Sequence, residues 1–217
     1  MFQFQDFDEI FMERSKKHIN TFFKIVPGSF YGLLSVYFAI IFVFLSYINF
    51  RGYSMFNNDV SVLGNGPGLS APIFNIGLKI TGIIAIPFFI HLGRILKQGA
   101  NNIKLINRTV NLSIIGCISL CLIGFFPVVN VTMGLIHAGF ALIFFLCSIV
   151  NLLIFSIIIF KDHRFSNLHS YFGIIIAGLI VFYIAVRWPI VEWMVFFTLG
   201  FWIIDISIYT LYKKFRI

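Results

Sequence analysis

Charge is scarce in this chain of 217 residues: Asp, Glu, Lys and Arg together make up 11% of it, against roughly a quarter of a soluble domain. A water-soluble body of this size must cover itself with polar side chains, and 16 basic and 8 acidic residues cannot do so. Cysteine is limited to three positions, Cys117, Cys121 and Cys147. All three fall in apolar stretches and form no pair with metal-ligand spacing, so they read as small packing residues. No Gly-Lys-Ser/Thr phosphate loop is present, and no cofactor or metal is expected. What the chain has in quantity is apolar surface, at 59% of residues with a mean hydropathy of +0.97. These figures exclude a soluble globular domain, a disordered chain and a coiled coil, and leave the bilayer as the solvent that fits.

A helix of about 20 apolar residues crosses the hydrocarbon core. Six such spans can be read, over Ser29–Phe50, Pro72–Gly93, Thr109–Val129, Leu135–Phe160, Leu168–Val186 and Ile190–Tyr212. The last two are separated only by Arg187, Trp188 and Pro189, so a single long helix there is the competing reading. Basic residues decide between them. Thirteen of the 16 fall before the first span, in the alternate loops and in the tail, while Arg51 and Arg187 lie on the opposite side and Lys79 lies within a span. The positive-inside rule makes the rich side cytoplasmic. The expected class is therefore an all-α, polytopic membrane protein of six transmembrane helices, multi-pass in the cell membrane with both termini cytoplasmic. Positively charged clusters between apolar spans serve topology, and no nucleic-acid partner is expected.

The organisation follows as a cytoplasmic amphipathic segment over 1–28, then a six-helix transmembrane domain over 29–217 that carries an outer cap loop at 51–72. In the first segment Phe7, Ile10, Phe11, His18 and Phe22 fall near helical spacing, which suits an interfacial helix. Its acidic start and the anchor-length run that follows do not suit a cleavable signal peptide. The loop 51–72 combines turn-forming Gly, Asn and Pro with retained apolar residues, including Tyr53, Met55, Val60 and Leu63. Such a loop is expected to fold back over the helix ends, with Val62 and Leu63 buried and Ser61 or Asn58 bonding a helix end.

Polar residues at one depth mark where a ligand could sit. Lys79 lies ~10 Å below the outer surface at 1.5 Å per residue, one turn from Asn75. An ammonium at that depth is costly against lipid, so Lys79 is expected to face the bundle and pair with Asp59, Glu192 or an anionic headgroup. His137 and Pro127 sit near the outer ends of their spans, and Arg187 and Glu192 flank the outer turn between the last two. With Asn58 and Ser61 from the loop, these residues form a candidate outer pocket of Asn58, Ser61, Asn75, Lys79, His137, Arg187 and Glu192. Asp205 lies ~22 Å from that surface, out of reach of Lys79, where a carboxyl must be protonated or bonded across helices. His91, beside Arg94, is expected at the opposite interface.

Asn58-Asp59-Val60-Ser61-Val62-Leu63-Gly64, Ile73-Phe74-Asn75-Ile76-Gly77-Leu78 with Gly82, and Gly124-Phe125-Phe126-Pro127 with His137 resemble the membrane proteins grouped as domain of unknown function 998. That group is similar to the wider Frag, DRAM and Sfk superfamily. The resemblance covers about 190 residues and implies six helices and a shared outer polar site, with no settled activity. The family places an acid between the Ser and Leu of the loop motif; here that position is Val62, and Asp59 lies three residues earlier.

Three functions fit these residues. The first is binding of a lipid or small amphiphile in an outer-leaflet polar pocket, with membrane lipids as partners and a protein partner or second copy as a further class. The second is an intramembrane lipid-modifying hydrolase or transferase using Ser61, Asp59 and His137, because a nucleophile needs a base in hydrogen-bond reach. The third is a small transporter, although no repeat relates residues 29–129 to 135–212.

Overall fold

The computed structural model describes residues 26–99 and 102–213, and these are all-helical, with six helices long and apolar enough to cross a membrane. They are α1 (Gly28–Ile48), α2 (Ser70–Lys97), α3 (Ile103–Ile123), α4 (Val131–Lys161), α5 (Asn167–Val186) and α6 (Pro189–Tyr212), with a short 3-10 helix, Val60–Asn65, between α1 and α2. The amphipathic segment expected over 1–28 falls almost wholly outside the described residues.

Local chemistry sets the breaks. Asn102 caps α3 by accepting from the Leu105 amide at 3.0 Å, and Asn130 caps α4 by accepting from the Met133 amide at 2.9 Å; each satisfies one of the orphan N–H groups of a first turn. These caps start α3 and α4 earlier than their apolar runs alone suggest. At its other end α3 stops at Ile123, six residues before the expected boundary, because Gly124 to Pro127 turn the chain. Between α5 and α6 the chain breaks into two helices: Arg187 adopts a left-handed conformation (φ 55°), Trp188 is extended, and Pro189 opens α6. Proline disfavours a helical residue before it and is at home in a first turn. Pro87, by contrast, lies within α2, which continues to Lys97.

Each helix packs on the next in chain order, and α6 returns to pack on α1. Large apolar side chains point outward from every helix, among them Phe44, Ile83, Ile115, Leu142, Ile175 and Phe201. That surface would aggregate in water and is the natural face toward lipid. Inside, small polar residues join neighbouring helices: Ser29 to Thr210 at 2.7 Å between α1 and α6, and Ser170 to the Ser156 carbonyl at 2.7 Å between α5 and α4. Interhelical bonds of this kind contribute about 0.6 kcal/mol each in a bilayer.

Two cores divide the bundle. One fills the half distant from the 51–72 loop, around Phe88, Leu92, Phe155, Ile176, Trp202 and Ile206. Beyond it, Arg164 in the α4–α5 turn clasps Asp162 (Nη2 to Oδ2 at 2.6 Å) and donates to the Ile95 carbonyl at 3.0 Å. Burial of Asp162 opposes its ionisation, but the bonds and charge of Arg164 prevail and hold its carboxyl below the usual range. At the same end Asp205 bonds across helices to His169 Nδ1 at 2.6 Å, and His91, near the C-terminal end of α2, is buried. The second core, with Val43, Tyr53, Leu63, Phe74 and Trp193, seats the loop on the opposite end.

Close approach of α2 and α3 depends on Gly82. A methyl group there would sit 2.6 Å from the Cys117 carbonyl oxygen and 3.0 Å from the Cys121 nitrogen, so backbone rather than a pliable side chain would have to move. Gly82→Leu should therefore destabilise the bundle by at least the ~1–3 kcal/mol typical of overpacking, seen as a lower melting temperature in detergent; Ile83→Leu, on the exposed face of the same helix, should leave it unchanged.

Candidate functional site

The loop between α1 and α2 is a folded cap, and hydrogen bonds fix it to several elements. Asn75 of α2 donates to the Gly64 carbonyl at 3.0 Å, and Ser70 donates to the Leu63 carbonyl at 3.2 Å. Gly64 permits this approach, since a Cβ there would lie 2.9 Å from Asn75 Oδ1. Ser46 of α1 donates to the Ser70 carbonyl at 2.8 Å. Asn65 accepts from the Val128 amide beyond α3 at 2.8 Å. On the far side, Trp193 of α6 donates its indole N–H to the Asn58 carbonyl at 3.2 Å, and Tyr53 donates to the Asp59 carbonyl at 2.6 Å. The Tyr53 and Trp193 rings meet edge-on, 6.1 Å between centroids. Leu63 is fully buried beneath the cap, whereas Val62 is only half-buried, and Asn58 meets α6 through its carbonyl.

This attachment brings Asp59, at the start of the 3-10 helix, against Glu192, in the first turn of α6. The two carboxyls lie close enough to act on one another's ionisation. Burial lifts the Asp59 carboxyl above its ordinary range, with the charge of Arg187 pulling the other way. The amides of Ser61 and Val60 and the Tyr183 hydroxyl face Glu192. Glu192 is 9% exposed and sits where the positive end of the α6 dipole favours an acid. One oxygen of each carboxyl, Asp59 Oδ1 and Glu192 Oε2, is buried without a hydrogen-bond partner. Arg187 is exposed, beyond Asp59, with its guanidinium 5.7 Å from the centre of the Tyr183 ring.

Glu192 also lines a cavity of about 230 Å³ beneath the cap. Ser61 and His137 share that end with it, and the remaining wall comes from α1, α2, α3, α4 and α6, with side chains such as Val43, Leu78, Phe144, Val195 and Phe196. His137 is buried, and its Nδ1 lies 3.0 Å from the Phe126 carbonyl. A carbonyl only accepts, so Nδ1 carries the proton and Nε2 of the neutral ring is left as an acceptor.

Among the residues expected to form a pocket, Ser61, His137 and Glu192 thus share one cavity end, with Asp59 and Arg187 behind Glu192. Asn58 and Asn75 serve the cap: the Asn58 side chain donates to the Ser54 carbonyl at 3.3 Å, and Asn75 holds Gly64. Lys79 departs from its expected pairing with Asp59 or Glu192. Its ammonium lies over the Phe125 ring, 4.5 Å from the centroid, and it does not line the cavity. Asp162 and Asp205 find their partners elsewhere, in Arg164 and His169. Gly124 is the reason for the position of Lys79, because its bare backbone lets the lysine stem pass alongside, with Lys79 Cγ 3.2 Å from where a Cβ would stand. Tyr53, Tyr183 and Trp193 were not foreseen; the available signals were the adjacency of Trp193 to Glu192 and the four-residue step from Tyr183 to Arg187, which places both on one helical face.

No family model, curated protein or solved structure matches the chain.

The cap should loosen when its inner tether is cut. Asn75→Ala leaves the Gly64 carbonyl without its donor, a loss of roughly 1–3 kcal/mol. Amide exchange at Val62 and Gly66, whose N–H groups bond within the 3-10 helix, should accelerate about tenfold, while exchange in the α4–α5 region stays unchanged.

Proposed function

We propose that this multi-pass membrane protein binds a lipid or small amphiphile in an outer-leaflet pocket, with the apolar part of the ligand in the cavity and its polar head beneath the cap. The observation that carries this reading is a largely apolar cavity walled by five helices, with Ser61, His137 and Glu192 at the end beneath the cap and the small hydroxyls of Ser35, Thr81 and Ser148 scattered along the rest of the wall. An apolar cavity with a few convergent polar groups is the usual form of a small-molecule site. Membership of the group resembled by the cap and α2 motifs belongs to the same proposal.

Orientation is part of the reading. Residues 94–108 and 161–164, at the end opposite the cap, carry Arg94, Lys97, Lys104, Arg108, Lys161 and Arg164, whereas the cap end has Arg51 and Arg187. With the positive-inside rule, the cap faces outward in the cell membrane and the described chain end at Lys213 faces the cytoplasm. In a variant lacking the native cysteines, Asn57→Cys on the exposed cap should label with an impermeant thiol reagent in intact cells. Lys213→Cys should label only after permeabilisation; labelling of both in intact cells would overturn the assignment.

Occupancy of the cavity tests the function itself. Ala39→Trp on α1 and Ala141→Trp on α4, both at lining positions, fill it from two sides. Native mass spectrometry of protein released from detergent should show lipid retained by the parent and lost from both variants. Equal retention in all three folded proteins would refute the reading.

A further inference from the structure

The polar end of the cavity offers two acceptors, one hydroxyl from Ser61 that can donate or accept, and no Lys or Arg among its lining residues. Glu192 Oε2 is buried, lines the cavity and has no partner. His137 Nδ1 is committed to the Phe126 carbonyl, so the neutral ring presents Nε2 as a second acceptor. Asp59 Oδ1, immediately behind Glu192, is a third buried oxygen without a partner. The nearby cations are engaged outside the cavity: Lys79 lies on Phe125, and the exposed Arg187 acts on Asp59 and on the Tyr183 ring. Neither lines the cavity. An anionic headgroup placed there would meet a buried carboxyl with no counter-charge from the wall, an arrangement that low polarity makes costly. A neutral hydroxyl could donate only once.

Building on the cavity-binding reading, we propose that the site selects amphiphiles with a protonated amine head, a primary or secondary alkylammonium, over neutral and anionic chains of the same length. The ammonium supplies several N–H donors and one positive charge to the acidic end formed by Glu192 with Asp59 behind it. The alkyl chain runs down the apolar wall beside α6, which lines the cavity from Glu192 to Ile204, about 18 Å at the rise of a helix. The inference departs from the anionic headgroup that Lys79 suggested in the sequence, because that lysine lies on Phe125, beyond the end of α3, and does not line the cavity.

The test uses full-length protein in phosphatidylcholine nanodiscs and three probes with one chain: dodecylamine, dodecanol and dodecanoate. Binding is read by native mass spectrometry, with empty nanodiscs correcting for partition into lipid. Dodecylamine should bind at least tenfold more tightly than the other two. Glu192→Gln, which keeps the shape, should abolish that preference while dodecanol binds as before. Equal binding of the three probes to the parent, each lost in Ala141→Trp, would overturn the amine preference and leave the cavity reading standing. Binding of none of them would overturn both. A preference that survives Glu192→Gln would also refute the inference, since the acceptor would then lie elsewhere.

Discussion

A carbonyl on the cap and an indole on the last helix hold the site together. Trp193 reaches the Asn58 carbonyl at 3.2 Å, and the next residue, Asp59, is thereby carried onto Glu192. That bond joins the packing of Tyr53 on Trp193 and the approach of the Val60 and Ser61 amides to Glu192 in fixing the cap to α6, beside its tethers to α1, α2 and the turn after α3. The aromatic packing of Tyr53 on Trp193 excludes water from the joint. Exclusion of water strengthens every polar contact there and also raises the penalty for each atom left without a partner. The cap is therefore both a lid and the element that completes the polar end.

The two ends of the bundle solve the same problem in different ways. At the end distant from the cap, the charged groups meet partners: Arg164 holds Asp162 and the Ile95 carbonyl of α2, while Asp205 meets His169. The apolar core between them is filled by large side chains such as Phe88, Phe155 and Trp202. At the cap end the packing is incomplete, and a cavity remains where Glu192 keeps an oxygen without a partner. Buried polar atoms are nearly always bonded in native proteins, so an unpartnered carboxyl oxygen lining a cavity of about 230 Å³ marks a place that a ligand donor could fill.

Much of the fold was legible because bilayers impose strong rules on sequence. Apolar length marks the spans, since every backbone group crossing hydrocarbon must be bonded within its own helix. Asn102 and Asn130 mark starts through their side-chain oxygens, and Pro189 divides the last apolar run because the residue before it resists the helical conformation. The retained apolar residues of the cap announced a folded loop, and Leu63 occupies the buried place that such a residue demands.

Contacts between distant positions were not legible in the same way. Depth along a span placed Lys79 level with the carboxyls, but depth says nothing about azimuth, and the bare backbone of Gly124 drew the lysine toward Phe125. The meeting of Asp59 with Glu192 joins residues more than a hundred positions apart, and it depends on Trp193 and Tyr53 fixing two carbonyls of the cap. His137 was visible as a polar residue near a helix end, yet its proton position follows only from the Phe126 carbonyl beside it. The sequence by itself determined six apolar helices, their breaks and a folded cap, because those follow from local chemistry and the solvent. Tertiary structure alone decided which charges meet and which acceptor stays open, because side-chain partnership is set by helix rotation and loop docking, and neither is written in any single segment.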